Sequence, residues 1–372
     1  MSFDDGPVLD TIHFDTLRFP PPPWALEAFA AAARDGSNAY TPNRGNPQVL
    51  AQLAPRLQRL LGIPVDPERE IVLTPGTQAG IFTSTGALAS DGLPVVLIDP
   101  DYLDTARILR FLKAEVTRVP LVRSASGLQP DLDALENALD RRSLLIFSNP
   151  NNPTGAVFSE QVVERIADLV ERSGSYVIAD ELYTRLTYDA PMTHLVACDG
   201  MRDRCITLLG PSKTESLTGY RVGVVTGPAP LLEQVEDVLS FVALRAPAYA
   251  QHVLRHWLHD DEDWLRERLR EFRSLRDMTV QRLTELEWLR LEPPAGAAYV
   301  FPDVAAAGVD DETLGQRLLD EARVRVIPGC EFGDQGVGHF RMCFARDERQ
   351  WEDALGRILD VLASLAPAGV AR

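Results

Sequence analysis

Chemistry that needs a side-chain primary amine has few places to occur in this chain of 372 residues. Its basic side chains are nearly all arginine, and lysine occurs only at Lys113 and Lys213. The pattern around Lys113 indicates the end of a helix, whereas Lys213 follows an apolar run in a loop that contains Gly210 and Ser212. Because a lysine amine can form a Schiff base with an aldehyde, Lys213 is the stronger candidate for covalent chemistry.

The elements that must position Lys213 are the predicted strands of a helix-covered sheet. Short apolar runs lie at residues 70–73, 95–98, 115–119, 144–147, 176–179, 206–209 and 222–226. Several runs lack polar alternation, as is typical of strands that are buried on both faces. The pattern predicts an α/β fold with a mostly parallel sheet, in which ligands bind beyond the carboxyl ends of the strands.

We expect five of these strand ends to bring polar and aromatic side chains together, and pyridoxal phosphate would explain the set. Its aldehyde needs the amine of Lys213, and its pyridine nitrogen needs an anion such as Asp180 to stay protonated. A protonated ring draws electrons from a substrate carbanion. Taken separately, Lys213 is explained as well by a solvated loop lysine, and Asp180 by an aspartate at a strand end. The interpretation as a cofactor site therefore depends on the position that these residues share.

A phosphate group needs hydrogen-bond donors, and Gly76, Thr77 and Gln78 can offer them. These residues begin a predicted helix, whose first N–H groups and dipole favour an anion. Arg221 follows Lys213 by eight residues and could add a bidentate contact. A glycine turn alone is common, so the phosphate site depends on its neighbours.

The cofactor ring also needs partners. Asn152 and Tyr183 suit its 3-oxygen, and Tyr102 is placed to stack on its face. A turn-forming asparagine and half-buried core tyrosines are the alternative explanations of these residues.

Around these residues the sequence resembles the fold-type I pyridoxal-phosphate enzymes, specifically the class I/II aminotransferases. The resemblance runs in family order over about residues 38–345. The matching stretches are YTPNRG at 40–45, TPGTQ at 74–78, PDY at 100–102, NPNNPTG at 149–155, ADELY at 179–183, SKT at 212–214, GYRVG at 219–223, PGCEFG at 328–333 and FRM at 340–342.

The resemblance implies an enzyme that moves an amino group between an L-amino acid and a 2-oxo acid. The reaction would pass through a Lys213 Schiff base and pyridoxamine phosphate, and Lys213 would also move the proton. Catalytic roles are implied for Lys213, Asp180 and Tyr183, and substrate binding for Arg341 and Asn152. The residues implied for the cofactor are Gly76, Thr77, Gln78, Tyr102, Asn152, Asp180, Tyr183, Ser212, Lys213, Arg221 and Tyr40.

The resemblance also implies a homodimer with shared active sites, in which Tyr40 reaches the phosphate of the neighbouring subunit. The pattern along the chain changes after about residue 230, where a long charged helical region is followed by short strands. We therefore predict three parts: an N-terminal arm at 1–37 that joins the small domain, a large pyridoxal-phosphate-binding domain at 38–260, and a small α+β domain at 261–372.

Three departures from the family pattern stand out. Gly210 replaces a serine, so one phosphate ligand is lost, and Glu215 stands where an aromatic or apolar residue is common. Glu215 is expected to pair with Arg245 across the dimer or to face solvent. The segment at 14–23 lacks the glycine that is usual near the substrate lid. Arg245 could meet an acidic substrate side chain, although an ion pair at the dimer interface explains it better.

These departures leave other functions open. On the same scaffold the substrate carbanion could undergo β-elimination, γ-replacement or amino-acid oxidation instead of transamination. A regulator that binds pyridoxal phosphate without turnover is a remote alternative, because no basic helix-turn-helix-like segment precedes residue 40. A Rossmann dehydrogenase lacks support, since no GxGxxG follows the first strand.

Charge and cysteine usage narrow the partners and the compartment. The net charge of −17 repels phosphate backbones and anionic lipids, so we expect neither nucleic acid nor a membrane as partner. No apolar run reaches about 18 residues, and the acidic N-terminus predicts no secretory signal. The four cysteines lack metal-like spacing, which favours reduced thiols and a cytoplasmic protein. We expect no metal site, because His252, His256 and His259 suit a helix surface.

Overall fold

A computed structural model describes residues 7–89, 92–259 and 261–367. Its strands are β1 Leu9–Asp10, β2 Ile71–Thr74, β3 Val95–Asp99, β4 Val116–Ser124, β5 Gly127–Pro130, β6 Leu144–Ser148, β7 Tyr176–Asp180, β8 Cys205–Leu209, β9 Gly223–Thr226, β10 Tyr299–Val300, β11 Val324–Arg325, β12 Ile327–Pro328 and β13 Phe340–Cys343. Its α-helices are α1 Pro23–Arg34, α2 Pro47–Leu61, α3 Thr77–Ala89, α4 Leu103–Phe111, α5 Leu132–Ala138, α6 Glu160–Ser173, α7 Ala229–Val242, α8 Ala248–Gln251, α9 Glu262–Leu283, α10 Asp311–Asp320 and α11 Glu348–Ala363.

Eight strands form the central sheet in the order β2-β9-β8-β7-β6-β3-β4-β5. Pairing is parallel from β4 through β3, β6 and β7 to β8, whereas β9 and β5 run antiparallel to their neighbours. All residues of β2, β3, β6, β8 and β9 are buried, which explains their unbroken apolar runs. The predicted α/β fold with a mostly parallel, helix-covered sheet is confirmed.

Capping residues and glycines set where the helices that flank these strands begin and end, and how closely they pack. In α6, Ser159 accepts a hydrogen bond from the Val162 N–H and Gly174 ends the helix with a φ of +67°, which are the expected cap and stop. Helix α3 starts directly after the β2 loop and is buried along most of its length. A Cβ at Gly80 would lie 2.9 Å from the Val225 side chain, so glycine lets α3 approach β9 closely.

A second core lies mainly in the C-terminal part of the chain, with contributions from the N-terminal segment. Its strands form the three-stranded antiparallel sheet β10-β13-β12 and the parallel pair β1-β11. Phe14 and Phe19 pack into this core, whereas Ala25 and Ala28 of α1 pack into the core beside the large sheet. The division of the chain at residues 37 and 260 stays a prediction. Among the described residues, no helix combines the length and the apolar character needed to cross a membrane.

Glu215 lies in a buried ion-pair cluster, so the prediction that it pairs with Arg245 or faces solvent is wrong. Its carboxylate is 0% exposed and accepts a hydrogen bond from Arg185. Arg185 also donates to both carboxylate oxygens of Asp261, at 2.9 and 2.7 Å. Burial raises the pKa of Glu215 to about 7, against the opposing effect of Arg185. This position is therefore an internal link between the sheet loops and the start of α9.

We expect stability to depend on pH through Glu215. The folded chain holds the proton of Glu215 up to about pH 7, whereas the unfolded chain releases it near the ordinary value of 4.5. Protonation therefore stabilises the fold fully below the unfolded pKa, and this contribution is lost as pH rises to the folded pKa. Relative to Glu215→Gln, the wild-type free energy of unfolding should fall by up to about 1.4 kcal/mol per pH unit across this range.

Urea unfolding of both cofactor-loaded proteins at a series of pH values measures this difference. Asp101 and Asp180 are present in both proteins, so their titration cancels in the comparison. A difference between the two proteins that stays constant from pH 4.5 to 7 would contradict the prediction.

Candidate active site

A cavity of about 930 Å³ opens at the carboxyl ends of the parallel strands. It is lined by side chains from the sheet loops, from the N-terminal segment and from the C-terminal part. Ten of the predicted site residues line it: Thr77, Gln78, Tyr102, Asn152, Asp180, Tyr183, Ser212, Lys213, Arg221 and Arg341. The structure therefore brings together residues that lie up to 264 positions apart in the sequence.

Gly76 supports the cavity wall from behind. Its φ is +75°, and a Cβ at this position would lie 2.2 Å from Arg221 Nη2, so the backbone and the guanidinium are in close contact. Arg221 donates to the carbonyl oxygens of Thr218 at 2.8 Å and Pro75 at 3.3 Å. Thr77 Oγ1 is buried and has no hydrogen-bond partner among the described residues. A helix N-terminus, an arginine and an unpartnered hydroxyl fit a phosphate group.

Tyr40 does not reach the cavity of its own chain. Its side chain is 80% exposed, and its ring lies 5.3 Å from the guanidinium carbon of Arg245. Arg245 donates to Asn43 Oδ1 at 2.6 Å and to the Thr41 carbonyl oxygen at 2.5 Å. Arg245 therefore holds the 41–43 turn within its own chain and does not line the cavity.

Asp180 ends β7 and lies buried at the floor of the cavity. Burial raises the pKa of Asp180 to about 6, and the neighbouring Glu181 adds to the rise. The backbone hydrogen bond from Leu182 and the charge of Lys213 both lower the pKa of Asp180, but by less. The carboxylate accepts the Leu182 N–H at 3.1 Å. A buried carboxylate with so little local compensation suits a cationic partner, which a protonated pyridine nitrogen provides.

Asp101 has a structural role that the sequence did not indicate. It accepts hydrogen bonds from Ser148 N–H at 2.7 Å, Ser148 Oγ at 2.9 Å and the Tyr102 N–H at 2.7 Å. Burial raises the pKa of Asp101 to about 7. These bonds tie the loop after β3 to the end of β6 and so fix Tyr102, whose hydroxyl donates to Gln78 Oε1 at 2.9 Å.

Arg341 connects several walls of the cavity. It is 3% exposed, and it donates to Asn152 Oδ1 at 2.8 Å and to the Ile12 carbonyl oxygen at 2.7 Å. Its guanidinium carbon lies 4.2 Å from the ring centroid of Tyr299. The Tyr299 hydroxyl is 2.9 Å from the Tyr183 hydroxyl. Arg341 Nε is buried without a partner among the described residues, so the guanidinium retains a donor for a carboxylate.

The cavity mouth contains residues that sequence reasoning missed. Arg107 of α4 donates to Asp104 Oδ1 at 3.0 Å and to Glu331 Oε2 at 2.8 Å. His13 also lines the cavity; burial, Lys213, Arg341 and Arg346 lower its pKa, while Asp10 raises it. Phe14 and Tyr299 are both buried and line the cavity.

Within the described part of the chain, no group of three or more His, Cys, Asp or Glu side chains could hold a metal ion. The donors around the cavity instead fit a phosphorylated pyridine with an aldehyde. They comprise a phosphate cradle at one end, a buried carboxylate at the other and a lysine amine between the walls.

Comparison with known proteins agrees with this geometry. Residues 12–358 match the family model described as aminotransferase class I and II. An aspartate/prephenate aminotransferase of Thermus thermophilus is 31% identical over 348 residues, covering 92% of this chain and 88% of the relative. An aromatic-amino-acid aminotransferase of Thermococcus litoralis is 29% identical, covering 91% and 88%.

Solved structures give the same result. The crystal structure of an aspartate aminotransferase from Rhodobacter sphaeroides is 34% identical, with a TM-score of 0.94 over 98% of this chain and 93% of that one. The Thermus thermophilus aspartate aminotransferase with maleate is 28% identical, with a TM-score of 0.88 and coverage of 95% and 92%. The chain therefore belongs to the class I and II aminotransferases and is a pyridoxal-phosphate-dependent aminotransferase.

Proposed function

We propose that Lys213 is the amine that binds pyridoxal phosphate and the base that moves the substrate proton. The single observation that carries this proposal is the lysine in the cavity opposite Asp180. The chain has two lysines, and Lys113 lies beyond the end of α4 with a φ of +56°. When bound, the cofactor supplies an electron sink that makes the α-proton of an amino acid acidic. In this role Lys213 Nζ would take up the substrate α-proton and later give it back, so that the proton is conserved across the transfer.

The phosphate end of the cofactor would be held by Gly76, Thr77, Gln78, Ser212 and Arg221. The close contact between Gly76 and Arg221 and the unpartnered Thr77 hydroxyl support this assignment. A Cβ at Gly210 would lie 3.4 Å from Thr77 Oγ1, so glycine leaves room beside this hydroxyl where relatives are expected to carry serine.

The ring would be held between Asp180 and the residues around its 3-oxygen. Asp180 keeps the pyridine nitrogen protonated, which its burial at the end of β7 supports. Asn152 and Tyr183 donate to the 3-oxygen, and Tyr102 covers one ring face. Arg341 binds the substrate α-carboxylate, and its buried, unpartnered Nε favours this role.

Replacing Lys213 tests the proposal. We expect Lys213→Ala to lose the visible absorbance of bound cofactor and at least about 1,000-fold in the rate of amino transfer, because both the covalent link and the proton carrier are removed. Lys113→Arg, which changes the other lysine, should retain both properties. The assay follows cofactor absorbance after mixing with amino donors, starting with aspartate and the aromatic amino acids that the relatives' names suggest.

The same assay separates transamination from the other carbanion fates. Transamination yields pyridoxamine phosphate that a 2-oxo acid converts back, whereas elimination or oxidation releases ammonia. Full turnover by Lys213→Ala would refute the lysine assignment. Cofactor binding by the wild type without turnover of any donor would favour the regulator.

We further propose a homodimer in which Tyr40 completes the phosphate site of the partner. An exposed apolar segment at the end of α7 supports this arrangement, with Phe241 at 73%, Val242 at 45%, Leu244 at 46% and Tyr249 at 40% exposure. Tyr40 contacts Arg245 within the same segment. Apolar patches of this kind commonly mark interfaces between proteins, and Tyr40 has no role in the cavity of its own chain.

A charge placed in this segment should weaken the dimer. We expect Phe241→Glu to raise the dimer dissociation constant at least tenfold, because burying an unpaired carboxylate costs more than about 1.4 kcal/mol. Phe111→Glu is the matched control, since Phe111 is also 73% exposed and lies at the end of α4. Light scattering over a dilution series measures both variants, and equal effects would contradict the assignment of the interface.

The proposed location is the cytoplasm. All four cysteines are unpaired in the structure, and Cys205 and Cys343 are buried. Reduced thiols are typical of a reducing compartment.

A further inference from the structure

Tyr299 contacts Tyr183 and Arg341. Both of these residues have roles in the proposed function, whereas Tyr299 has none so far. It belongs to β10, is 2% exposed and lines the cavity. We propose that Tyr299 is a positioning residue that directs the hydroxyl proton of Tyr183 towards the cofactor 3-oxygen. This inference depends on the proposed roles of Tyr183 and Arg341.

The first step concerns the shared hydrogen bond. The two hydroxyl oxygens are 2.9 Å apart, and either could be the donor. If Tyr183 donated to Tyr299, the Tyr183 proton would point away from the cofactor. If Tyr299 donates, the Tyr183 oxygen accepts and its own proton is free to point into the cavity. Among the described residues, the Tyr183 hydroxyl has no second hydrogen-bond partner.

The second step decides which hydroxyl donates. The Arg341 guanidinium lies 4.2 Å from the Tyr299 ring centroid, where a cation attracts the electrons of the ring. Loss of electron density from the ring makes the Tyr299 hydroxyl a stronger donor, and polarised hydrogen bonds strengthen one another. Burial raises the pKa of Tyr183 well above its usual value, so Tyr183 remains a neutral hydroxyl that can accept one hydrogen bond and donate another. Tyr299 therefore donates and Tyr183 accepts.

The third step explains why Arg341 is well placed to act on the 3-oxygen. It donates directly to Asn152 at 2.8 Å and acts on Tyr183 through the Tyr299 ring. Phe14 packs with its ring centroid 5.9 Å from that of Tyr299 at an angle of 83°, which fixes the ring under the guanidinium. Both donors to the 3-oxygen are thus oriented by one buried cation.

The test is the pH titration of the visible absorbance of the cofactor-loaded protein. This absorbance reports the proton between the Lys213 nitrogen and the 3-oxygen, and a donor to that oxygen lowers its basicity. Tyr299→Phe removes one oxygen atom. Tyr183 keeps its bond to the 3-oxygen but loses the donor that polarises it, so we expect the midpoint to rise by about 0.1–0.3 pH unit, a fraction of the shift that Tyr183→Phe gives. In a Tyr183→Phe background the same change should shift nothing further.

Tyr188→Phe is the matched control. Tyr188 is also buried, and its hydroxyl donates to the Ala297 carbonyl oxygen, but it does not line the cavity. This variant should leave the midpoint unchanged, and thermal unfolding of each variant separates loss of folding from loss of orientation.

Two outcomes overturn the inference. One is an unchanged midpoint in Tyr299→Phe, and the other is a shift of equal size with and without the Tyr183 hydroxyl. If the wild type shows no visible cofactor absorbance, the proposed role of Lys213 fails instead, so the two failures are distinguishable.

Discussion

The structure depends on keeping a negative charge at the end of a strand that is buried on both faces. Asp180 and Glu181 are adjacent acids, both buried, and two such charges are costly unless each finds compensation. Glu181 pairs with His194 at 2.5 Å; burial lowers the pKa of His194, but Glu181 outweighs this effect and raises it. Asp180 faces the cavity instead, where the Leu182 N–H and Lys213 offset its burial only in part; in the proposed function the cofactor supplies the rest. Successive side chains at a strand end point to opposite faces. Asp180 therefore faces the cavity, whereas the adjacent Glu181 faces His194.

Two buried arginines join the N-terminal segment to the cavity. Arg341 donates to the carbonyl oxygen of Ile12, and Arg346 donates to those of Asp10 and His13. These bonds bring His13 and Phe14 to the cavity wall although the segment has little regular structure. Ion pairs at the mouth add a weaker connection, since Arg107 and Glu331 are half exposed and solvent screens such pairs. The cavity is therefore built from both ends of the chain around one sheet edge.

The sequence predicted the sheet and ten lining residues because buried parallel strands leave continuous apolar runs, and the loops that follow them meet at one edge. Lys213 was identifiable because lysine is so rare in the chain. The Glu215–Arg185 and Tyr183–Tyr299 contacts were not predictable, since their partners lie 30 and 116 residues apart and no local periodicity connects them. Glu215 was misjudged because a carboxylate near a loop lysine suggests solvent, whereas here an arginine 30 residues away pairs with it in the interior and offsets its burial only in part. The role proposed for Tyr40 depends on a second copy of the chain, which no pattern within one chain specifies.

The near absence of lysine has a practical consequence. In the folded protein Lys113 is exposed beyond the end of α4, whereas Lys213 lies within the cavity and would be blocked by a covalently attached cofactor. An amine-directed fluorophore would thus attach to a single side chain. That site follows Arg107 by six residues, just beyond the end of the helix that carries Arg107, so the dye would report on the cavity entrance without touching any group that reacts.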